Sequence, residues 1–117
     1  MTEPTRLFHN PRCSKSRQTL ELLTARGIEP EIIRYLETPP TEQELAHILD
    51  ALGYEPRELM RTKEKEYKDL GLDNPDLNRD QLIAAMTANP KLIERPIVLA
   101  NGKVAVGRPP ENVLSIL

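Results

Sequence analysis

One thiol stands among cations. The stretch His9-Asn10-Pro11-Arg12-Cys13-Ser14-Lys15-Ser16-Arg17 holds the single cysteine of the chain, and no Asp or Glu lies between His9 and Gln18 to cancel the charge of Arg12, Lys15 and Arg17. A structural cysteine behaves as a small hydrophobe and is ordinarily surrounded by apolar side chains. Cys13 instead has surroundings suited to an anion. The reactive form of cysteine is the thiolate, which cations and a helix N-terminus stabilise. Both would also attract an oxyanion, so a nucleophile and an anion site would coincide. His9, four residues upstream, either packs and hydrogen-bonds locally or tunes the thiol.

The elements around this stretch place it. Arg6-Leu7-Phe8-His9 reads as a short strand stopped by Asn10-Pro11, because proline cannot extend a ladder and biases the preceding residue toward extended geometry. Apolar periodicity through Leu20, Leu22, Leu23 and Ala25, ahead of Arg26-Gly27, predicts a helix from about Ser14 to Arg26. Cys13 therefore falls between strand and helix, at the positive end of the helix dipole. A second extended run covers Ile32, Ile33, Tyr35 and Leu36, and Thr41 with Glu44 forms a capping box for a helix running to about Leu52. Helical patterning continues through Arg57 to Arg61, Lys63 to Leu70 and Asn78 to Ala88, with Asp73 to Arg79 as a loop. Ile97 to Ala100, Asn101-Gly102 and Lys103 to Val106 predict a hairpin with a type I′ turn. Pro109 to Leu117 predicts a closing helix.

Two strands joined by a helix should lie parallel, and a terminal hairpin adds an antiparallel pair. The expected fold is α/β and thioredoxin-like: a four-stranded mixed sheet with helices on its faces and an all-helical insertion at about 41–93, in one domain spanning 1–117.

Composition narrows the functions open to such a fold. At 117 residues the chain has room for one core. Sixteen Lys and Arg against 18 Asp and Glu leave a net charge of -2, which is no basic footprint for nucleic acid. No apolar run approaches a membrane span, and Met1 to Arg6 lacks a signal-peptide core. A lone cysteine makes no internal disulfide and no multi-cysteine metal site, and it fits a reducing cytoplasm. The expectation is a cytoplasmic protein with neither nucleic-acid nor membrane partner, and no bound cofactor or metal.

The residues also carry a resemblance. His9 to Arg17, with Tyr35-Leu36-Glu37-Thr38-Pro39-Pro40-Thr41, Met60-Arg61-Thr62-Lys63-Glu64, Glu94-Arg95-Pro96-Ile97-Val98 and Gly107-Arg108-Pro109-Pro110-Glu111, closely resembles the glutaredoxin-dependent arsenate reductases, the ArsC-like family, over nearly the whole chain. Ser14-Lys15 stands where well-known members have Gly-Thr, and the chain stops at Leu117 without their C-terminal extension, so the resemblance is to a shorter branch.

The resemblance implies a thioredoxin-like fold with a helical insertion and an oxidoreductase that converts arsenate to arsenite. Cys13, in the H-x-x-x-C-x-x-x-R segment with His9 and Arg17, would attack arsenate. Arg61, Arg95 and Arg108 would hold the oxyanion, each guanidinium offering paired donors. Glutathione would be the co-substrate and glutaredoxin the partner that resolves the mixed disulfide, which agrees with a chain that has one thiol of its own. A cis-proline opening the hairpin faces the reactive cysteine in thioredoxin-like folds, which would bring Arg95 to the site. Taken without the resemblance, Arg61 reads as a wet helix end and Arg95 as a solvated strand entry, while for Arg108 an ordinary charged loop residue and a site residue are equally open. His47, among Leu45, Ala46 and Ile48, reads as surface or structural.

Other readings separate on local features. Redox-sensing regulators of this kind that bind RNA polymerase use a C-x-x-C pair, whereas Ser16 occupies the second position here. A regulatory binding protein is thereby the weaker reading. Low-molecular-weight phosphatases need C-x5-R, and monothiol glutaredoxins have a different active-site sequence and no arginine set. A glutathione-dependent thiol/disulfide reductase is the main alternative.

Overall fold

A computed structural model describes residues 4–117. Residues 1–3, the start of the segment expected to lack a leader core, lie outside the described residues. The chain divides into two units, Met1–Thr38 with Arg95–Leu117, and Pro39–Glu94.

In the first unit, strands β1 (Arg6–Phe8), β2 (Glu31–Ile33), β3 (Ile97–Ala100) and β4 (Lys103–Val106) form one sheet in the order β2-β1-β3-β4. β1 runs parallel to β2 and antiparallel to β3, and β3 pairs antiparallel with β4. This is the mixed topology read from the sequence. Helix α1 (Ser14–Ala25) makes the crossover, and Gly27, at φ 75°, lets the chain turn back to β2. The β3–β4 turn takes the positive φ angles a type I′ geometry requires, 54° at Asn101 and 74° at Gly102. Alternation along the strands puts Leu7, Val98 and Ala105 in one buried cluster with Leu23 of α1 and with Val113 and Ile116 of the closing helix.

Several boundaries differ from the sequence reading, each for a local reason. β1 ends at Phe8, although the His9 N–H still donates to the Ile33 carbonyl at 2.9 Å. β2 stops at Ile33 because Arg34 opens a turn, its carbonyl accepting from Glu37 and Thr38 N–H at 2.9 and 2.8 Å. The closing helix is a 3-10 segment, Pro110–Ile116, entered through Pro109.

The second unit contains α2 (Glu42–Leu52), α3 (Lys65–Asp69) and α4 (Arg79–Ala88). The Thr41/Glu44 capping box opens α2, and Gly53 at φ 69° closes it. Asn78 and Gln81 cap α4, so Arg79 belongs to the helix rather than to the preceding loop. The stretch Arg57 to Arg61 is not a helix. A 3-10 turn, Pro56–Glu58, is followed by backbone pairing of 59–61 with 92–94, through Arg61 N–H to Leu92 O at 2.7 Å and Glu94 N–H to Leu59 O at 2.8 Å. Leu45, Ile48, Leu49, Leu82, Ile83 and Met86 are buried here, and α2 packs on α4. Among the described residues no helix is long and apolar enough to cross a membrane.

Candidate active site

Strand directions decide what meets at the end of the sheet. β1 leads out at Phe8, which pairs with Ile97 at the start of β3, and Ile97 pairs with Val106 at the end of β4. Two residues beyond that pair lie Arg95 on one strand and Arg108 on the other. The Gly107 N–H donates to the Pro96 carbonyl at 2.9 Å, holding these flanks together, and the Arg95–Pro96 and Arg108–Pro109 peptides are both cis. The loop after β1 thus delivers Cys13 beside two arginines that are 13 positions apart in sequence.

Cys13 is the N-cap residue of α1, in extended conformation, and is 8% exposed. Its own N–H donates to the Asn10 carbonyl at 2.9 Å, closing the loop, and its carbonyl accepts from Arg17 N–H at 3.0 Å as the helix begins. Nη2 of Arg108 lies 3.7 Å from Sγ of Cys13. Nε of the same guanidinium donates to the Arg95 carbonyl at 2.7 Å, which fixes its plane. Burial by itself raises the thiol pKa. The N–H of Ser16, the charge of Arg95, the N–H of Lys15 and the charge of Arg108 outweigh it, and the net pKa lies below the ordinary cysteine value. The direction matches the one expected at this helix start, but the cations that lower the Cys13 pKa are Arg95 and Arg108 of the hairpin flanks rather than Lys15 and Arg17.

Arg17 faces another task. Its Nη1 donates to the Pro11 carbonyl at 3.0 Å, bracing the Cys13 loop from the exposed side, and its charge bears on His9. His9 is 6% exposed, with Nδ1 bonded to the Ser16 hydroxyl. Burial first, then Arg34 and Arg17, push its pKa below the ordinary value, so the ring is neutral near pH 7. Arg61 lies in the second unit, where its Nη2 pairs with Glu64 at 2.9 Å and Glu64 also faces Lys91 at 3.7 Å. His47 is exposed on α2.

Two contributors escaped the sequence reading. Ser16 is fully buried and accepts from the Asn10 N–H at 3.0 Å. Its place in C-x-x-S was visible, but only as the lack of a second thiol. Arg34 acts on His9 because the parallel register pairs Phe8 with Ile33, a neighbourhood with no signal in local sequence. Among the described residues, no group of three or more His, Cys, Asp or Glu could hold a metal ion.

Comparisons with known proteins identify the family and the fold. The sequence profile of the ArsC family matches residues 8–116. An "Arsenate reductase" of Neisseria meningitidis (serogroup A) is 56% identical over 113 residues, covering 96% of this chain and 97% of that one. The "Uncharacterized protein YfgD" of Escherichia coli K12 is 55% identical over 118 residues, covering 100% and 99%. The solved structure titled "Arsenate reductase from Vibrio cholerae" superposes with a TM-score of 0.95 at 52% identity, over the whole of both chains. With a Cys13–arginine site at the sheet end of a thioredoxin-like fold and a profile match over nearly its full length, the chain belongs to the ArsC family.

Proposed function

We propose that this chain reduces arsenate to arsenite, with Cys13 as nucleophile, glutathione as co-substrate and glutaredoxin as the resolving partner in the cytoplasm. The observation that carries the reading is the guanidinium of Arg108 at 3.7 Å from the Cys13 sulfur. A fixed bidentate donor beside a thiolate suits a tetrahedral oxyanion that must approach that sulfur with its charge neutralised. The names of the relatives supply the substrate.

The chemistry balances as follows. The Cys13 thiolate forms a bond to arsenic(V), and an arsenic-bound hydroxyl takes up a proton and leaves as water, its As–O bond breaking. A glutathione thiolate then attacks the Cys13 sulfur, and the S–As bond breaks with its electron pair kept by arsenic. Arsenic(III) leaves as arsenite, and two sulfurs are oxidised to a Cys13–glutathione disulfide. A glutaredoxin thiolate accepts the glutathione, and Cys13 returns to the thiol. In this scheme Arg95 and Arg108 hold oxygens of the adduct, His9 tunes the thiol and Arg17 braces its loop. Arg61 joins the oxyanion set on the sequence correspondence alone.

The test is a comparison of steady-state rates with arsenate and with a glutathionylated disulfide, both coupled to glutaredoxin. The proposal expects arsenate to be the better substrate. Turnover of the disulfide alone would assign the site to a glutathione-dependent thiol/disulfide reductase.

A further inference from the structure

Ser16 is a buried hydroxyl shared between two groups of the Cys13 loop. Its Oγ accepts from the backbone N–H of Asn10 at 3.0 Å and is bonded to Nδ1 of His9. Ser16 is 0% exposed and His9 6%. The roles within this cluster can be assigned by elimination. The Asn10 N–H can only donate, so it occupies one acceptor lobe of Oγ. The hydroxyl proton then needs an acceptor, because an unpaired buried donor costs about 1–3 kcal/mol. Among the described residues the other group bonded to Ser16 Oγ is Nδ1 of His9, which accepts when the ring proton is on Nε2.

We infer that Ser16 is a positioning residue that donates to Nδ1 of His9, fixing the imidazole in its Nε2–H tautomer while tying the Asn10–Cys13 loop to the first turn of α1. With Nδ1 committed, Nε2 is the one ring atom left to exchange a proton or a hydrogen bond during a reaction at Cys13. The backbone N–H of Ser16 meanwhile bears on the thiol. One residue therefore serves both sides of the loop, its hydroxyl facing His9 and its amide facing Cys13. The inference deepens the reading of Cys13 as nucleophile, but its test does not depend on arsenate.

The experiment is heteronuclear NMR of the imidazole nitrogens in the full chain across pH, with a His47→Gln variant separating the two histidines. The charges facing His9 are Arg34 and Arg17, and they are kept unchanged. The parent should show an unprotonated Nδ1 and a protonated Nε2 on His9 at neutral pH. A donor to Nδ1 stabilises the neutral ring, so Ser16→Ala should raise the His9 pKa, mix the tautomers and slow iodoacetamide alkylation of Cys13 several-fold. Ser16→Thr, which keeps the hydroxyl, should restore the parent pattern. A protonated Nδ1 in the parent overturns the inference, and so does a Ser16→Ala protein whose His9 tautomer and titration are unchanged. Should Ser16→Ala fail to fold, the parent spectrum alone decides. Loss of the arsenate reading would leave these spectra as predicted, so the two failures are distinguishable.

Discussion

The guanidinium of Arg108 spans two partners at once, its Nη2 3.7 Å from the Cys13 sulfur and its Nε bonded to the Arg95 carbonyl at 2.7 Å. The second bond orients the first. Because that carbonyl sits next to Pro96 at the start of β3, the hairpin itself aims the charge at the thiol.

Replacing Arg108 or Arg95 with lysine keeps a positive charge but removes the paired donors. A charge-assisted hydrogen bond contributes about 1.5–3 kcal/mol, so each variant should lose roughly ten- to more than a hundred-fold in kcat/KM for arsenate. Lys68, exposed on α3, supplies the control, and its replacement should change little. Lysine variants as active as the parent well below saturation would remove these arginines from the oxyanion site.

The thiol should ionise early. Amide groups and arginine charges lower the Cys13 pKa against its burial, so the inflection of alkylation rate with pH should lie below ~8.5, the value of a free thiol. Arg108→Lys retains most of the charge effect, whereas Arg108→Gln should move the inflection upward. An inflection at or above ~8.5 in the parent contradicts the electrostatic account.

His9 predicts a component of acid sensitivity. Its folded pKa is lowered by burial, Arg34 and Arg17, so on acidification the unfolded chain binds the proton first. Stability from the neutral ring is complete above ~6.5 and is lost as pH falls from there toward the folded value. Urea midpoints at two pH values on either side of that window should differ more for the parent than for His9→Asn. Equal differences would mean that His9 is not linked to folding.

Gly107 sets the approach of β4 to α1. A Cβ there would stand 2.6 Å from Thr19 Oγ1 and 2.8 Å from Pro96 Cγ, and Thr19 is fully buried. Gly107→Ala should destabilise by about 1–3 kcal/mol as an overpacked site and reduce activity by displacing Arg108. Adding Thr19→Ala should recover part of the loss in a double-mutant cycle of thermal melts. Strict additivity would place the strain elsewhere.

The sheet, α1, α2 and the hairpin were legible because each rests on local chemistry: Asn101-Gly102 on positive φ, Thr41/Glu44 on a capping box, Asn10-Pro11 on a strand stop. The helical expectation for Arg57 to Arg61 gave way after the 3-10 turn Pro56–Glu58 because the Leu59 carbonyl and the Arg61 N–H bond to Glu94 and Leu92, a long-range pairing that local periodicity does not record. At the site, Cys13 with its helix start was readable, while Arg95 and Arg108 needed either the resemblance or the Ile97–Val106 register to be brought to it. Ser16 and Arg34 were missed because their meaning comes from neighbours supplied by tertiary folding.

The central claim, that Cys13 reduces arsenate through a glutathione-resolved adduct, is tested most directly by a single turnover with arsenate and glutathione in the absence of glutaredoxin. Intact-mass measurement should find Cys13 converted to its glutathione mixed disulfide, with one arsenite released per modified chain and neither product from Cys13→Ser. Arsenite released without modification of Cys13, or from Cys13→Ser, would contradict the account, as would a chain that yields no arsenite.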